Sequence, residues 1–265
     1  MFGESDGEDE VGPVSVIDTK ARDDFLHERP ENCGVLSFHA GTEEAMLLYV
    51  QKNAVAGDPD SVLSAVDAFC YQRHWMMHIG DFKGQHLDTT VTDVLSQKKN
   101  IIAMEVGSYC GYSAVRIARF LTSESHLFCV ENNKHCVSFT RRLLTHAGLQ
   151  DKVTVIEGTV AEGMHALRSR NLFIDLLFLD HAKELYLSDL RQIEASGLLN
   201  SGAYVVADNV LCFNAPLDDY LHHVRNSGLY ASSLLVKGPL EYSTVVESVD
   251  EGSYLEDGLE ISVYR

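Results

Sequence analysis

The sequence predicts an α/β fold: a doubly wound, mostly parallel sheet with helices on both faces and an antiparallel hairpin at the C-terminus. Three observations predict it. From Ile101 onward, short apolar runs alternate with helix-like amphipathic segments. The runs, such as Leu176, Leu177, Phe178 and Leu179, are continuous rather than alternating, as strands buried on both faces require. The final strand-like stretches, "LYASSLLVKG" and "LEISVYR", have no long helix between them, so they pair antiparallel.

The elements follow in order. Residues 1–41 carry Glu4, Asp6, Glu8, Asp9 and Glu10 without a hydrophobic period, and are expected to form an acidic, partly disordered extension to one domain over 42–265. "TEEAMLLYVQKNA" predicts a helix with Thr42 as its cap and Glu43 and Glu44 in a first turn that favours negative charge. "DPDSVLSAVDAFCYQRHW" predicts a second, started by Asp58 with Pro59 at the first position and with Val62, Val66 and Phe69 on one side. "KGQHLDTTVTDVLSQ" predicts a third. The strands are then "IIAMEVG", "HLFCVE", "KVTVIEG", "IDLLFLD" and "AYVVADN", and "VDEGSYLEDG" is expected to be a surface loop before the last strand.

With 265 residues and 45% hydrophobic content, the chain can bury one sizeable core. Its net charge of −18 argues against nucleic acid or an anionic membrane surface and favours a small neutral or cationic ligand. No apolar run approaches the ~18 residues of a membrane helix, and the start lacks a signal peptide, so a soluble, cytoplasmic protein is expected. Cysteines 33, 70, 110, 129, 136 and 212 form no C-x-x-C pair and are expected to be free thiols.

In doubly wound sheets, ligands bind at the carboxyl ends of the strands. Those ends carry Glu105 and Gly107, Glu131, Gly158, Asp180, and Asp208 with Asn209. In "MEVGSYCGYSAV", Gly107 and Gly111 remove side chains where a ligand would meet backbone, and Ser113 offers a hydroxyl in the first helical turn. Tyr109 occupies the position where a dinucleotide fingerprint needs glycine, which disfavours NAD or FAD; the G-x-x-x-G-x-S spacing is commoner in S-adenosylmethionine sites. Glu131 ends the next strand where an acid would accept both ribose hydroxyls, or else it is a helix-start acid. Asp180, Asp208 and Asn209 end neighbouring strands, and three hard oxygens at one sheet edge suit Mg²⁺; a lone strand-end Asp is more often a helix cap. Lys183, three residues after Asp180, falls on the same side as that acid; otherwise it is a solvated surface lysine. A base role requires its neutral amine, which nearby Mg²⁺ and a sulfonium would favour.

Together these stretches resemble the catechol O-methyltransferases from about residue 43 to the C-terminus, through "HWMMHIGDFKGQ", "EVGSYCGYSAVRIAR", "FLDHAKELY", "ADNVLCFNAP" and "LEYSTVV". The resemblance implies a Rossmann-like methyltransferase fold and transfer of a methyl group from S-adenosylmethionine to one hydroxyl of a catechol. It places the cofactor against Met77, Ile79, Glu105, Gly107, Ser108, Tyr109, Cys110, Ser113, Glu131, Asn132, Asp180 and His181, with Val160 near the adenine. It assigns Mg²⁺ to Asp180, Asp208 and Asn209, the general base to Lys183, and to Glu241 a hydrogen bond from the unmethylated hydroxyl. Trp75, Met77 and Phe213 would line the ring, alongside Asp180, Lys183, Asn209 and Glu241. The chain departs from the family pattern at Ala182, Phe213 and Val160-Ala161, where the family carries Trp, Pro and Ser-Gln; a differently shaped mouth that accepts bulkier catechols is expected. The alternatives are another vicinal-diol phenol as acceptor, or a catalytically silent cofactor-binding protein whose acidic N-terminus recruits a partner.

Overall fold

The computed structural model describes residues 41–211, 217–242 and 256–265. The expected acidic extension before Gly41, and Phe213, Cys33 and Cys212, lie outside these residues.

Three helices precede the sheet: α1 (Thr42–Asn53), α2 (Pro59–Gln72) and α3 (Gly80–Gln97). The second begins as expected, with the Asp58 carboxylate accepting from the backbone N–H groups of Asp60 and Ser61. The first corrects the expectation at Thr42. Its N-cap is Gly41, in a left-handed conformation and without a side-chain cap bond, so Thr42 is already the first helical residue. The third starts three residues earlier than its polar pattern indicates, at Gly80.

Strands β1 (Ile102–Val106), β2 (His126–Glu131), β3 (Val153–Glu157), β4 (Ile174–Leu179), β5 (Leu199–Ala207), β6 (Tyr230–Pro239) and β7 (Glu256–Tyr264) form one sheet in the order β3-β2-β1-β4-β5-β7-β6. The first five are parallel, while β7 runs antiparallel to both β5 and β6. Helices α4 (Tyr112–Ala118), α5 (Lys134–His146), α6 (Val160–Arg168), α7 (Tyr186–Ala195) and α8 (Asp218–Asn226) complete the winding. Side chains alternate along each strand, so the sheet separates two apolar layers. One gathers Ala103, Leu127, Cys129, Leu176 and Phe178 with the first helices; the other gathers Met104, Val106, Leu177, Leu179 and Val205 with Leu190 and Val224.

The C-terminal stretch departs from the expected surface loop. Glu256, Asp257 and Gly258 already belong to β7, and Asp257 is fully buried. The reason is register: β7 must extend back to Glu256 to pair with Pro239 at the far end of β6.

Candidate active site

The strand register builds the site. Val106 pairs with Val130 and Leu179, and Leu179 pairs with Ala207, so the residues that follow these pairs, Glu131, Gly107, Asp180 and Asp208, emerge in one row at the carboxyl edge. Strand order reverses between β1 and β4, which is where a doubly wound sheet opens a crevice. Gly107 has a φ of 89°, and a Cβ there would lie 2.2 Å from the Asp180 carbonyl oxygen, so only glycine passes the end of β4.

On the β1–β2 side, Glu131 accepts from the backbone N–H groups of Tyr109 (3.0 Å) and Asn133 (2.8 Å), and burial raises its pKa. Tyr109 has a left-handed φ of 44°, donates its hydroxyl to Glu43 (2.9 Å), and has its carbonyl bound by Thr140, whose hydroxyl also meets Ser108. Glu105 is completely buried and accepts from the Ser113 hydroxyl and the Cys129 thiol; burial pushes its pKa up to about 7. The Ser113 hydrogen therefore points inward to Glu105. Asn132 is exposed, and Ile79 and Cys110 are buried beside the half-buried Met77. The Val160 side chain points into the core behind the sheet, so a hydroxyl at that position is not needed to complete the start of α6, which Thr159 and Glu162 already cap reciprocally.

On the β4–β5 side, Lys183 opens a 3₁₀ turn (Lys183–Leu185) and donates to Asp180 (3.0 Å) and to the Tyr186 hydroxyl (2.7 Å). Tyr186 in turn shares its hydroxyl hydrogen between the carbonyls of Leu179 (2.9 Å) and Asp208 (3.2 Å), tying both strand ends together. Burial, opposed by Lys183 and reinforced by Asp208, pushes Asp180 up to about 8. His181 stacks on Tyr186 and meets Asp189 through Nε2 (3.1 Å), while its buried Nδ1 has no hydrogen-bond partner among the described residues.

The third side comes from the C-terminal strands. Asn209, held at a left-handed φ of 54°, donates to Asp257 (2.8 Å) and lies 3.4 Å from Glu241. Glu241 is buried, with a pKa pushed up to about 7, and its carbonyl accepts from the Trp75 indole N–H (3.0 Å). Trp75 is thus turned toward the backbone of Glu241 and is itself buried.

The structure therefore brings together Asp180, Lys183, Asp208, Asn209, Glu241 and Trp75. Among the described residues no group of three His, Cys, Asp or Glu forms a metal cluster. The oxygen set proposed for a metal contains two carboxylates and an amide, hard donors of the kind a divalent cation takes, and Asp208 Oδ1 already lies against a cation, the Lys83 ammonium, at 2.7 Å. The orphaned His181 Nδ1 is an open donor or acceptor for a ligand.

Comparison with known proteins agrees with this geometry. Residues 54–225 match the O-methyltransferase family model. The chain is 40% identical over 223 residues to catechol O-methyltransferase B of Danio rerio, covering 83% of this chain and 78% of the relative. It is 39% identical over 214 residues to catechol O-methyltransferase of Bos taurus, covering 80% and 76%. This chain belongs to the catechol O-methyltransferase family. The fold is that of Rossmann-like methyltransferases, shared with an O-methyltransferase from Bacillus cereus solved in complex with SAH at 17% identity, a TM-score of 0.58, and coverage of 87% of this chain and 94% of that one.

In this member of the catechol O-methyltransferase family, two residues of the corner were not expected in the site from the sequence. Lys83 of α3 is almost completely buried, and its ammonium contacts Asp208 (2.7 Å), Glu241 (3.0 Å) and Asp257. Those three carboxylates raise its pKa well above the ordinary lysine value, against the opposing effect of burial. Asp257, by contrast, is held low by Lys83 and by the amide of Asn209, against burial. The only available sequence signal was that Lys83 falls within "HWMMHIGDFKGQ" beside Gly84.

Proposed function

We propose that this chain is a Mg²⁺-dependent O-methyltransferase that moves a methyl group from S-adenosylmethionine to one hydroxyl of a catechol. One observation carries the reading. In a member of this family, a candidate base, three hard-oxygen ligands and a third carboxylate converge on one corner at the reversal point of the sheet.

When bound, S-adenosylmethionine supplies an electrophilic methyl carbon on a sulfonium. Glu131 would hold the ribose, the turn from Gly107 through Ser108, Tyr109 and Cys110 would carry the methionine part with Glu105 and Ser113, and Ile79, Asn132 and His181 would surround the rest, while the Val160 side chain is turned into the core. Mg²⁺, held by Asp180, Asp208 and Asn209, would lower the pKa of a catechol hydroxyl and fix the acceptor's orientation. As its neutral amine, Lys183 would take the proton of the attacking hydroxyl and become an ammonium, and its contacts with the Tyr186 hydroxyl and Asp180 fix where its nitrogen points. Glu241 accepts from the other hydroxyl, anchored through its backbone by Trp75. Met77 and Trp75 keep water from the ring face, and the rate gain lies chiefly in alignment of acceptor oxygen, methyl carbon and sulfur. Four buried, free thiols, Cys70, Cys110, Cys129 and Cys136, support the cytoplasmic reading.

The exposed Ala182, at the foot of the 3₁₀ turn beside Lys183, presents a methyl group where the family carries a tryptophan, which supports acceptance of bulkier catechols. The test of function is product analysis with S-adenosylmethionine, a small and a bulky catechol, and either Mg²⁺ or a chelator. Methylated product is expected only with Mg²⁺, and Lys183→Met is expected to lower kcat by about 10²-fold or more. Undiminished product in chelator would remove the metal from the mechanism, and no product from any vicinal diol would leave the silent cofactor-binding reading.

A further inference from the structure

Four elements converge on the Lys83 ammonium. The lysine rises from the first turn of α3 and meets Asp208 after β5, Glu241 after β6 and Asp257 within β7. Lys83 and Asp208 side chains are each 1% exposed and Asp257 is fully buried, whereas Asp180 and Lys183 are 17% and 16% exposed and face the crevice. Three carboxylates gathered around one buried ammonium carry a concentrated negative charge that would attract a divalent ion if the ammonium were removed, while the Asn209 NH2 group donates to Asp257 beside them. An ion drawn into that inner set would be out of reach of an acceptor entering from the crevice.

We propose that Lys83 is a positioning residue whose ammonium, anchored by Asp257, fills the inner carboxylate pocket and confines the divalent ion to the crevice side, between Asp180 and Asp208. The same contacts hold Asp208 and Glu241 at a fixed separation, one to serve the ion and the other the acceptor. In this role Lys83 acts through Asp208 and Glu241, not on substrate or cofactor directly. This role rests on the metal reading above, and it separates Lys83 from an ordinary buried ion pair, which would serve the fold alone.

The test uses the full chain, with calorimetry of Mg²⁺ binding, equilibrium dialysis of S-adenosylmethionine, turnover, and the absorbance change of nitrocatechol on chelation. Lys83→Met unmasks the inner carboxylates, so Mg²⁺ is expected to bind about tenfold more tightly while turnover falls about 10²-fold. Nitrocatechol should no longer show its chelation shift in that variant, and cofactor affinity should stay within about threefold of wild type. Asp257→Asn keeps the ammonium but removes a negative charge, so Mg²⁺ is expected to bind several-fold more weakly. The opposite signs are what a structural role cannot produce, since loss of packing weakens metal and cofactor together in both variants. Unchanged or weaker Mg²⁺ binding by folded Lys83→Met, or a parallel loss of cofactor affinity, overturns the proposal. Should Lys83→Met fail to fold, Asp257→Asn decides alone: Mg²⁺ affinity equal to or above wild type rejects it. Absence of Mg²⁺ binding by the wild-type chain instead rejects the metal reading itself.

Discussion

Glu105 stands in a place that favours its acid form. It is fully buried at the end of β1, and two donors, Ser113 and Cys129, only partly offset the loss of water. An acid whose folded pKa is about 7, against an ordinary value of 4.5, binds more protons folded than unfolded between those values. Its contribution to stability therefore rises as pH falls from 8 toward 5, and its ionised form destabilises the fold above 7. Glu105→Gln lacks this dependence. Urea unfolding of both proteins should show the variant gaining on wild type as pH rises, by about 3 kcal/mol between pH 5 and pH 8. A difference between the two that stays constant across that range would reject a buried carboxyl titrating near neutrality. At this same scale, Lys83 and Asp257 escaped sequence reasoning for a physical reason. A lysine among the polar residues of "DFKGQ" and an aspartate in the glycine- and acid-rich "VDEGSYLEDG" look solvated until distant elements enclose them.

At the scale of elements, the turn between β1 and α4 decides how closely two strand ends approach. Gly107 passes the Asp180 carbonyl with no room for a methyl group, and its left-handed φ adds strain for any other residue. Gly107→Ala must push apart β1 and β4 at the position where the cofactor turn and the candidate metal ligand meet. The expected result is a destabilisation of about 2–4 kcal/mol in chemical unfolding, together with loss of measurable S-adenosylmethionine binding by dialysis. Retained cofactor affinity would show that the crevice does not depend on this approach. Strands and their ends were legible because each apolar run stops abruptly at a polar residue, so Asp180 and Asp208 announced themselves. Their common row depends on register, which the continuous apolar runs of β1, β4 and β5 leave open and only the folded sheet fixes. Glu241 was reachable only by resemblance, because its burial comes from Trp75 of the segment before α3 and from Gly80, whose added Cβ would lie 2.8 Å from that of Glu241.

For the whole molecule, a net charge of −18 acts in two opposite directions. Like charges spread over the surface repel one another in the compact state, and salt relieves that repulsion as the Debye length shrinks from ~30 Å at 0.01 M to ~8 Å at 0.15 M. The same net charge draws cations toward the molecule as a whole, and salt removes that advantage. Raising NaCl between these limits is therefore expected to raise Tm of the chain while lowering its apparent affinity for Mg²⁺ several-fold. Differential scanning calorimetry reads the first and titration calorimetry the second, on one preparation and with the chloride anion held in common. Exposed ion pairs such as Arg142–Glu44 and Lys237–Glu256 work against the first effect, because screening weakens them. Each such pair acts locally, whereas the excess of eighteen negative charges acts over the whole surface, so repulsion should dominate the salt response. A Tm that falls with salt would mean that local pairs outweigh the global field, and an Mg²⁺ affinity indifferent to salt would mean that the ion is held by direct ligands without help from the surrounding charge.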